Sequence, residues 1–256
     1  MTEAPSDTPQ PLLIHLLELR KRLLLTAAFF LAAFALSYLF SKEIFDILIY
    51  PLAKVLKGEE SRRLIYTGMA EAFLTYVKVA LFSALFLTLP LLASQVWLFI
   101  APGLYKTERL AVFPFLLATP VLFAIGAAFA YFVIIPAAWS FFVHFETQAP
   151  ETFLPIQLEA RVGEYLSLVM QLLFAFGLSF QMPVLLVLLA RVGLVTSGFL
   201  KEKRRYAFIL ILIASAFLTP PDVLSMLGLA IPLYGLFELS IFMMRLVEKK
   251  RQTNGT

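Results

Sequence analysis

Cysteine is absent from these 256 residues. Its absence excludes disulfide cross-links, a thiol nucleophile and a thiolate-held metal. Histidine is scarce, with only His15 and His144, so no histidine-rich metal cluster can be assembled. Charge is scarce as well: charged residues make up 15% of the chain, hydrophobic residues 61%, and mean hydropathy is +0.87. Soluble domains carry about 25% charged residues, so this deficit places the chain among integral membrane proteins. The net charge of +4 is small. In this class the placement of Lys and Arg carries more than their sum, and a pI near 9.3 is not read as nucleic-acid binding. There is no Ser/His/Asp set, no His-x-x-x-His pair in an apolar run and no Gly-rich phosphate loop, so no enzymatic activity and no cofactor are expected. Nor do the Pro and polar positions of the first three apolar runs recur in the last three, as an internally repeated transporter would show.

What is present is a succession of long apolar runs, which gives an all-α integral membrane protein. Residues 1–11 are polar, hold three Pro and read as a disordered tail. A single membrane domain is read over 12–247, with spans at about 23–40, 72–100, 110–135, 165–190, 206–219 and 223–244, and a basic tail at 248–256. The uncharged run 23–40 makes about 27 Å of helix, close to the ~30 Å of a bilayer core, and is too long for the apolar region of a cleavable signal. Ahead of it, Leu12–Arg22 reads as an interfacial helix, with His15, Glu18 and Arg22 on one stripe and Leu12, Leu16, Leu19 and Leu23 on another. Ser41–Ala70 reads as an external loop with Pro51 and a short helix near Ile44–Tyr50. Lys78 lies two turns after Glu71 and either snorkels or pairs with it. Pro136 marks the end of the third span. The fifth run has only 14 residues, so two readings compete for the last pair: two short spans with local thinning, or a re-entrant hairpin. Six spans are preferred.

Orientation follows from the basic residues. With the N-terminus inside, the inner side holds Arg20, Lys21, Arg22, Lys106, Arg109, Arg191, Lys201, Lys203, Arg204, Arg205, Arg245, Lys249, Lys250 and Arg251, which is 14 of the 21. Both chain ends and both Glu18 and Glu108 are then cytoplasmic.

Five places hold polar residues that composition does not explain. Glu18 and Arg22 form an i,i+4 pair in the favourable order, which is a sufficient structural role, yet Glu18 is also a candidate acceptor for an incoming cation. Arg20 lies about 200° away around the helix and faces something else: lipid phosphate, another helix or a different carboxylate. In Phe99-Ile-Ala-Pro-Gly-Leu-Tyr-Lys-Thr-Glu-Arg109, Pro102-Gly103 breaks a helix. Thr107 can N-cap the next one, and Glu108 in its first turn complements the helix dipole. A capped carboxylate can still accept a guanidinium bidentately. Phe99 sits at headgroup depth, where aromatic belt residues also collect. Gln181, inside a span, needs a hydrogen-bond partner in the bundle or a wet cavity, and Pro183 beside it fits a kink. Thr219-Pro-Pro-Asp222 reads as a capping box, with Thr219 as N-cap, Pro220 at N1 and Asp222 at N3.

The segments HLLELRKR (15–22), QVWLFIAPGLYKTER (95–109), GAAFAYFVIIP (126–136), FAFGLSFQMPV (174–184), LTPPDV (218–223) and AIPLYGLFE (230–238) occur in this order, each at a fixed place relative to the spans. In these the chain resembles the TatC family, the multi-span subunit of the twin-arginine protein translocase. The resemblance implies a concave, kinked bundle of six helices, the last two short, with N- and C-termini cytoplasmic in a prokaryotic inner membrane. It implies a receptor for twin-arginine signal peptides on folded cargo, working with TatA- and TatB-type single-span subunits, with copies of itself in the complex, and driven by the proton-motive force. By that resemblance Glu18, Arg20, Phe99 and Glu108 bind the signal peptide, while Gln181, Asp222, Pro51 and Thr219 are polar or structural positions. The family often has Glu where this chain has Gln181. Gln cannot titrate, so a hydrogen-bonding role is what remains there. Met226 stands where relatives can carry a polar Gln near the TatA/TatB contact surface, and leaves apolar packing for docking at that surface. The rival reading is a secondary transporter of a small solute.

Overall fold

The computed structural model describes residues 12–55, 63–100, 113–146, 158–219 and 222–254. The helices are α1 (Leu12–Leu39), α2 (Ser41–Val55), α3 (Glu71–Ile100), α4 (Phe113–Phe129), α5 (Ile135–Val143), α6 (Val162–Ser179), α7 (Met182–Val192), α8 (Ser197–Glu202), α9 (Arg204–Leu218) and α10 (Val223–Asn254). Among the described residues, five helical stretches are long and apolar enough to cross a membrane: Leu17–Leu39, Glu71–Leu92, Leu117–Val143, Val162–Arg191 and Val223–Lys249. The fifth apolar run is helical too, but α9 has 15 residues, about 22 Å, and falls short of that length. The segment expected as an interfacial helix is continuous with the first span, because nothing between Leu12 and Leu39 breaks the helix.

Three prolines mark departures from straight helices, and the chain accommodates each one differently. The segment read as an external loop is not a loop with one short turn of helix: α2 runs through Pro51, which is buried. Pro51 has no N–H for the carbonyl of Ile47 one turn earlier. The hydroxyl of Tyr131 donates to that carbonyl at 2.6 Å. The third span does not end at Pro136. A five-residue π turn, Ala130–Ile134, absorbs the proline, with the Ile135 N–H donating to Ala130 O, and the helix resumes as α5. Such a one-turn widening inserts a residue into the helix and relieves the clash a proline ring would make. In the fourth span the helix breaks at Phe180 and Gln181, two residues before Pro183. There the Gln181 N–H bonds Leu178 O at 3.0 Å, and the Gln181 side-chain amide reaches the carbonyl of Gly177 at 3.4 Å.

The last helix starts differently from the capping box read in the sequence. Thr219 closes α9, its hydroxyl donating to Ser215 O at 2.8 Å, and Asp222 is the residue that starts α10: its Oδ1 accepts the Ser225 N–H at 2.6 Å. The reason lies in the dipeptide. Pro220 precedes Pro221, and a residue before proline is disfavoured in helical geometry, so the helix starts only past both rings. Asp222→Ala is expected to lower stability by about 1 kcal/mol and Asp222→Asn by less, since Asn also caps. Thermal unfolding in detergent that ranks the two variants the other way would refute the capping role.

The core is mainly aliphatic, with Trp139, Tyr165, Phe176, Phe180 and Phe237 set into it, and draws most of its residues from α2, the π turn, α5, α6 and α10. Tyr165, Leu166, Val169 and Phe176 of α6 are essentially inaccessible, whereas Leu23, Leu31, Phe132, Phe217 and Ile231 point outward, as expected when the surrounding solvent is lipid. At the end of the bundle remote from the N-terminus, the segments before α3 and α6 are stitched together. Ile65 and Arg161 form a parallel bridge, with Ile65 N–H to Ala160 O at 3.1 Å and Val162 N–H to Ile65 O at 2.9 Å. The Glu71 carboxylate accepts N–H groups of Thr67 (2.9 Å), Gly68 (3.2 Å) and Gly163 (3.3 Å), and lies 3.5 Å from Arg161. Glu71 is thus engaged by backbone and Arg161, while Lys78 is exposed.

Candidate functional site: the N-terminal end of the bundle

α1 packs along α3 and carries Glu18. One turn beyond Glu18, the Arg22 guanidinium is shared between two helices. Its Nε and Nη2 both donate to Glu18 Oε1, at 3.2 and 2.5 Å, and its Nη1 donates to Gln95 Oε1 of α3 at 3.1 Å. The side chains keep 21% (Arg22) and 32% (Glu18) of their exposure, so the pair is half-buried at the edge of the bundle and open to solvent on one side. Arg20 is exposed, as its position two residues from Glu18 requires.

Phe99 lies on α3 one turn after Gln95, on the same stripe of that helix, but its side chain lies outside the described residues. Glu108, with Pro102-Gly103 and Thr107, lies outside them as well. The structure therefore joins Glu18 to Gln95 of α3 through the Arg22 guanidinium. Gln95 was not singled out from the sequence. The signal was there, an amide inside a 30-residue apolar helix, but nothing local says which charged residue it meets.

The other polar positions are elsewhere. Gln181 sits at the α6/α7 break, and its Nε2 donates to Thr119 O of α4 at 3.0 Å; its Oε1 is buried without a partner among the described residues. A cleft of about 520 Å³ opens beside it, lined almost wholly by apolar side chains including Leu178, Met182, Leu185, Leu210 and Leu233. Pro51, Thr219 and Asp222 belong to the opposite end of the bundle and are structural in their contacts. Two further polar clamps hold the N-terminal end together. Glu248 of α10 accepts the Ser197 N–H and hydroxyl at the start of α8 (2.7 and 2.5 Å), and Arg204 of α9 donates to Glu238 of α10 at 2.6 Å. Among the described residues no group of three or more His, Asp or Glu is placed to hold a metal ion.

An all-helical chain with five membrane-length apolar helices, an apolar outer face and a polar end built on a carboxylate–guanidinium pair is a multi-span membrane protein. Comparison with known proteins makes this specific. Residues 14–232 match the family model "Sec-independent protein translocase protein (TatC)". The chain is 45% identical over 241 residues to the TatC protein of Magnetococcus marinus, covering 94% of this chain and 86% of that one. It is 42% identical over 239 residues to that of Escherichia coli K12, covering 93% and 90%. A crystal structure described as the twin arginine translocase receptor TatC superposes with a TM-score of 0.74 at 34% identity, covering 91% of this chain and 98% of that one. The chain belongs to the TatC family.

Proposed function

We propose that this chain is the receptor subunit of a twin-arginine translocase in a bacterial inner membrane, and that Glu18 and Glu108 accept the two guanidiniums of a signal peptide. The observation that carries the reading is Glu18 itself. It lies half-buried at the basic end of the bundle, and its Oε1 already accepts two N–H groups of a guanidinium, so the site suits the chemistry of arginine. Carboxylates suit this task because a planar guanidinium presents parallel N–H groups that one carboxylate can accept together. Arg20 and Phe99 complete the surface, Arg20 toward headgroups or the peptide backbone and Phe99 against its apolar residues.

In this reading the chain crosses the membrane six times with both ends cytoplasmic, and the bundle is concave. The excess of Lys and Arg at the N-terminal end supports that orientation. α9 supplies the short fifth crossing beside α10. Partners are TatA- and TatB-type single-span subunits, with further copies of this chain in the complex, and transport draws on the proton-motive force. No catalytic step is assigned to the chain, and no observation favours the small-solute transporter.

The test is site-specific crosslinking of a twin-arginine signal peptide to the full chain in membranes. Glu18→Gln and Glu108→Gln should each weaken capture about 10- to 100-fold, since a hydrogen bond to a charged group contributes roughly 1.5–3 kcal/mol. Capture by the wild type should fall as salt rises. Undiminished crosslinking in both variants would sink the site assignment.

A further inference from the structure

We propose that Arg22 is a built-in competitor for the signal peptide: its guanidinium occupies Glu18 when no cargo is bound, and must be displaced for an arginine of the peptide to bind. This rests on the reading of Glu18 as an arginine acceptor.

The geometry is that of a ligand held in its own receptor. Arg22 places Nε and Nη2 on Glu18 Oε1, the side-on use of a guanidinium edge that an incoming arginine would also make. Oε1 already accepts two N–H groups, as many as its lone pairs offer, so a second guanidinium can take that oxygen only when Arg22 leaves it. Displacement is cheap for two reasons. The pair is an i,i+4 contact open to water on one side, the type that contributes little in measured helices. Arg22 is also not left without a partner when it lets go, because its Nη1 is already on Gln95 Oε1, an acceptor on α3 that the exchange does not consume. Gln95 thereby serves as the resting place of the displaced guanidinium. Arg22 is long enough to pivot about this contact, while its backbone stays fixed in α1, where its carbonyl accepts the Thr26 hydroxyl at 2.9 Å.

The consequence is a threshold. Between cargoes the acceptor carboxylate is neutralised and shielded from stray cations at the membrane surface. Any cationic ligand must replace the internal pair, so a weak single-point contact gains little, and a peptide held by further contacts gains enough to open it.

The experiment measures equilibrium binding of a labelled twin-arginine signal peptide to the purified full chain, in wild type and in Arg22→Lys, Arg22→Gln, Glu18→Gln and Glu18→Gln/Arg22→Gln. Arg22→Lys keeps the positive charge but loses the fork, so it separates competition from plain repulsion of a cationic peptide. Competition predicts at least about two- to fivefold tighter binding in both Arg22 variants, the range for an exposed ion pair, which this half-buried one should reach or pass. It also predicts that Arg22→Gln changes nothing once Glu18 is gone, because the two residues act through one contact. Weaker or unchanged binding in Arg22→Lys would overturn the proposal and make Arg22 a positioning residue or a bystander. Should Arg22→Gln fail to fold, Arg22→Lys alone decides. If Glu18→Gln binds as well as wild type, the reading of Glu18 as an arginine acceptor and this proposal fall together. If Glu18→Gln binds weakly while Arg22→Lys does not tighten, only the competitor falls.

Discussion

Gly126→Ala is expected to unfold much of the protein or to leave it severely weakened. Gly126 lies where α4 crosses α6, and a Cβ there would stand 2.6 Å from Phe176 O, 3.0 Å from Phe176 C and 2.8 Å from the Phe180 ring. The first two are backbone atoms of a packed helix, which cannot rotate away as a side chain can. The helices would have to separate, and Phe176, which is fully buried, would lose its packing with them. Overpacking costs about 1–3 kcal/mol where side chains can adjust, and a backbone obstacle puts this site at or above the upper end. The gain of about 1 kcal/mol in helix propensity from Gly to Ala does not offset that. The control is Gly235→Ala in α10, where nothing lies within 4 Å of the new Cβ, so the same propensity gain should appear unopposed. Unfolding midpoints in detergent, with yield of membrane-inserted protein, test the pair. Equal behaviour of the two variants would show that α4 and α6 are not in backbone contact at Gly126.

Tyr165→Ala should be the other large loss. The side chain is 2% exposed, its ring lies 5.1 Å from that of Trp139, and its hydroxyl donates to Leu48 O of α2 at 2.8 Å. It is therefore both a filler of the core and the bolt that holds α2 to α6. Removing a large aromatic from such a site costs about 3–5 kcal/mol, mostly through the cavity left behind. Tyr165→Phe removes the hydroxyl alone and should cost about 1 kcal/mol, the net worth of a typical hydrogen bond. Equilibrium unfolding of both variants separates the two contributions. A Phe variant as damaged as the Ala variant would mean that the hydroxyl, not the ring, carries the stability.

How much of this was legible beforehand depends on which interactions were local. The long helices followed from runs such as 23–40 and 165–190, because length and apolarity alone decide whether a segment can satisfy its backbone in lipid. The kink near Pro183 was visible for the same reason: a missing N–H is a property of one residue. The path through Pro136 was not, since the helix continues by way of the π turn at Ala130–Ile134, and the Ile47 carbonyl that Pro51 leaves without a donor is met by Tyr131, 84 residues further along the chain than Ile47. The N-cap expected at Thr219 falls three residues later, at Asp222, for a local reason that the Pro-Pro pair does contain. Glu18 and Arg22 were paired correctly from helix geometry, but Gln95 could not be assigned to them, as 73 residues separate it from Arg22.

The sequence by itself determined that this is a membrane protein of helices, which end carries the cations, and where the carboxylates of that end stand along the chain. Hydropathy, charge and i,i+4 spacing are short-range properties, and the bilayer reads them segment by segment. Only the tertiary structure decided which polar groups meet: Arg22 with Gln95, Gln181 with Thr119, Glu71 with Gly163. Each of those contacts joins helices distant in sequence. Their partners are fixed by how the helices pack, and in an apolar bundle a polar side chain takes whatever acceptor that packing brings within reach.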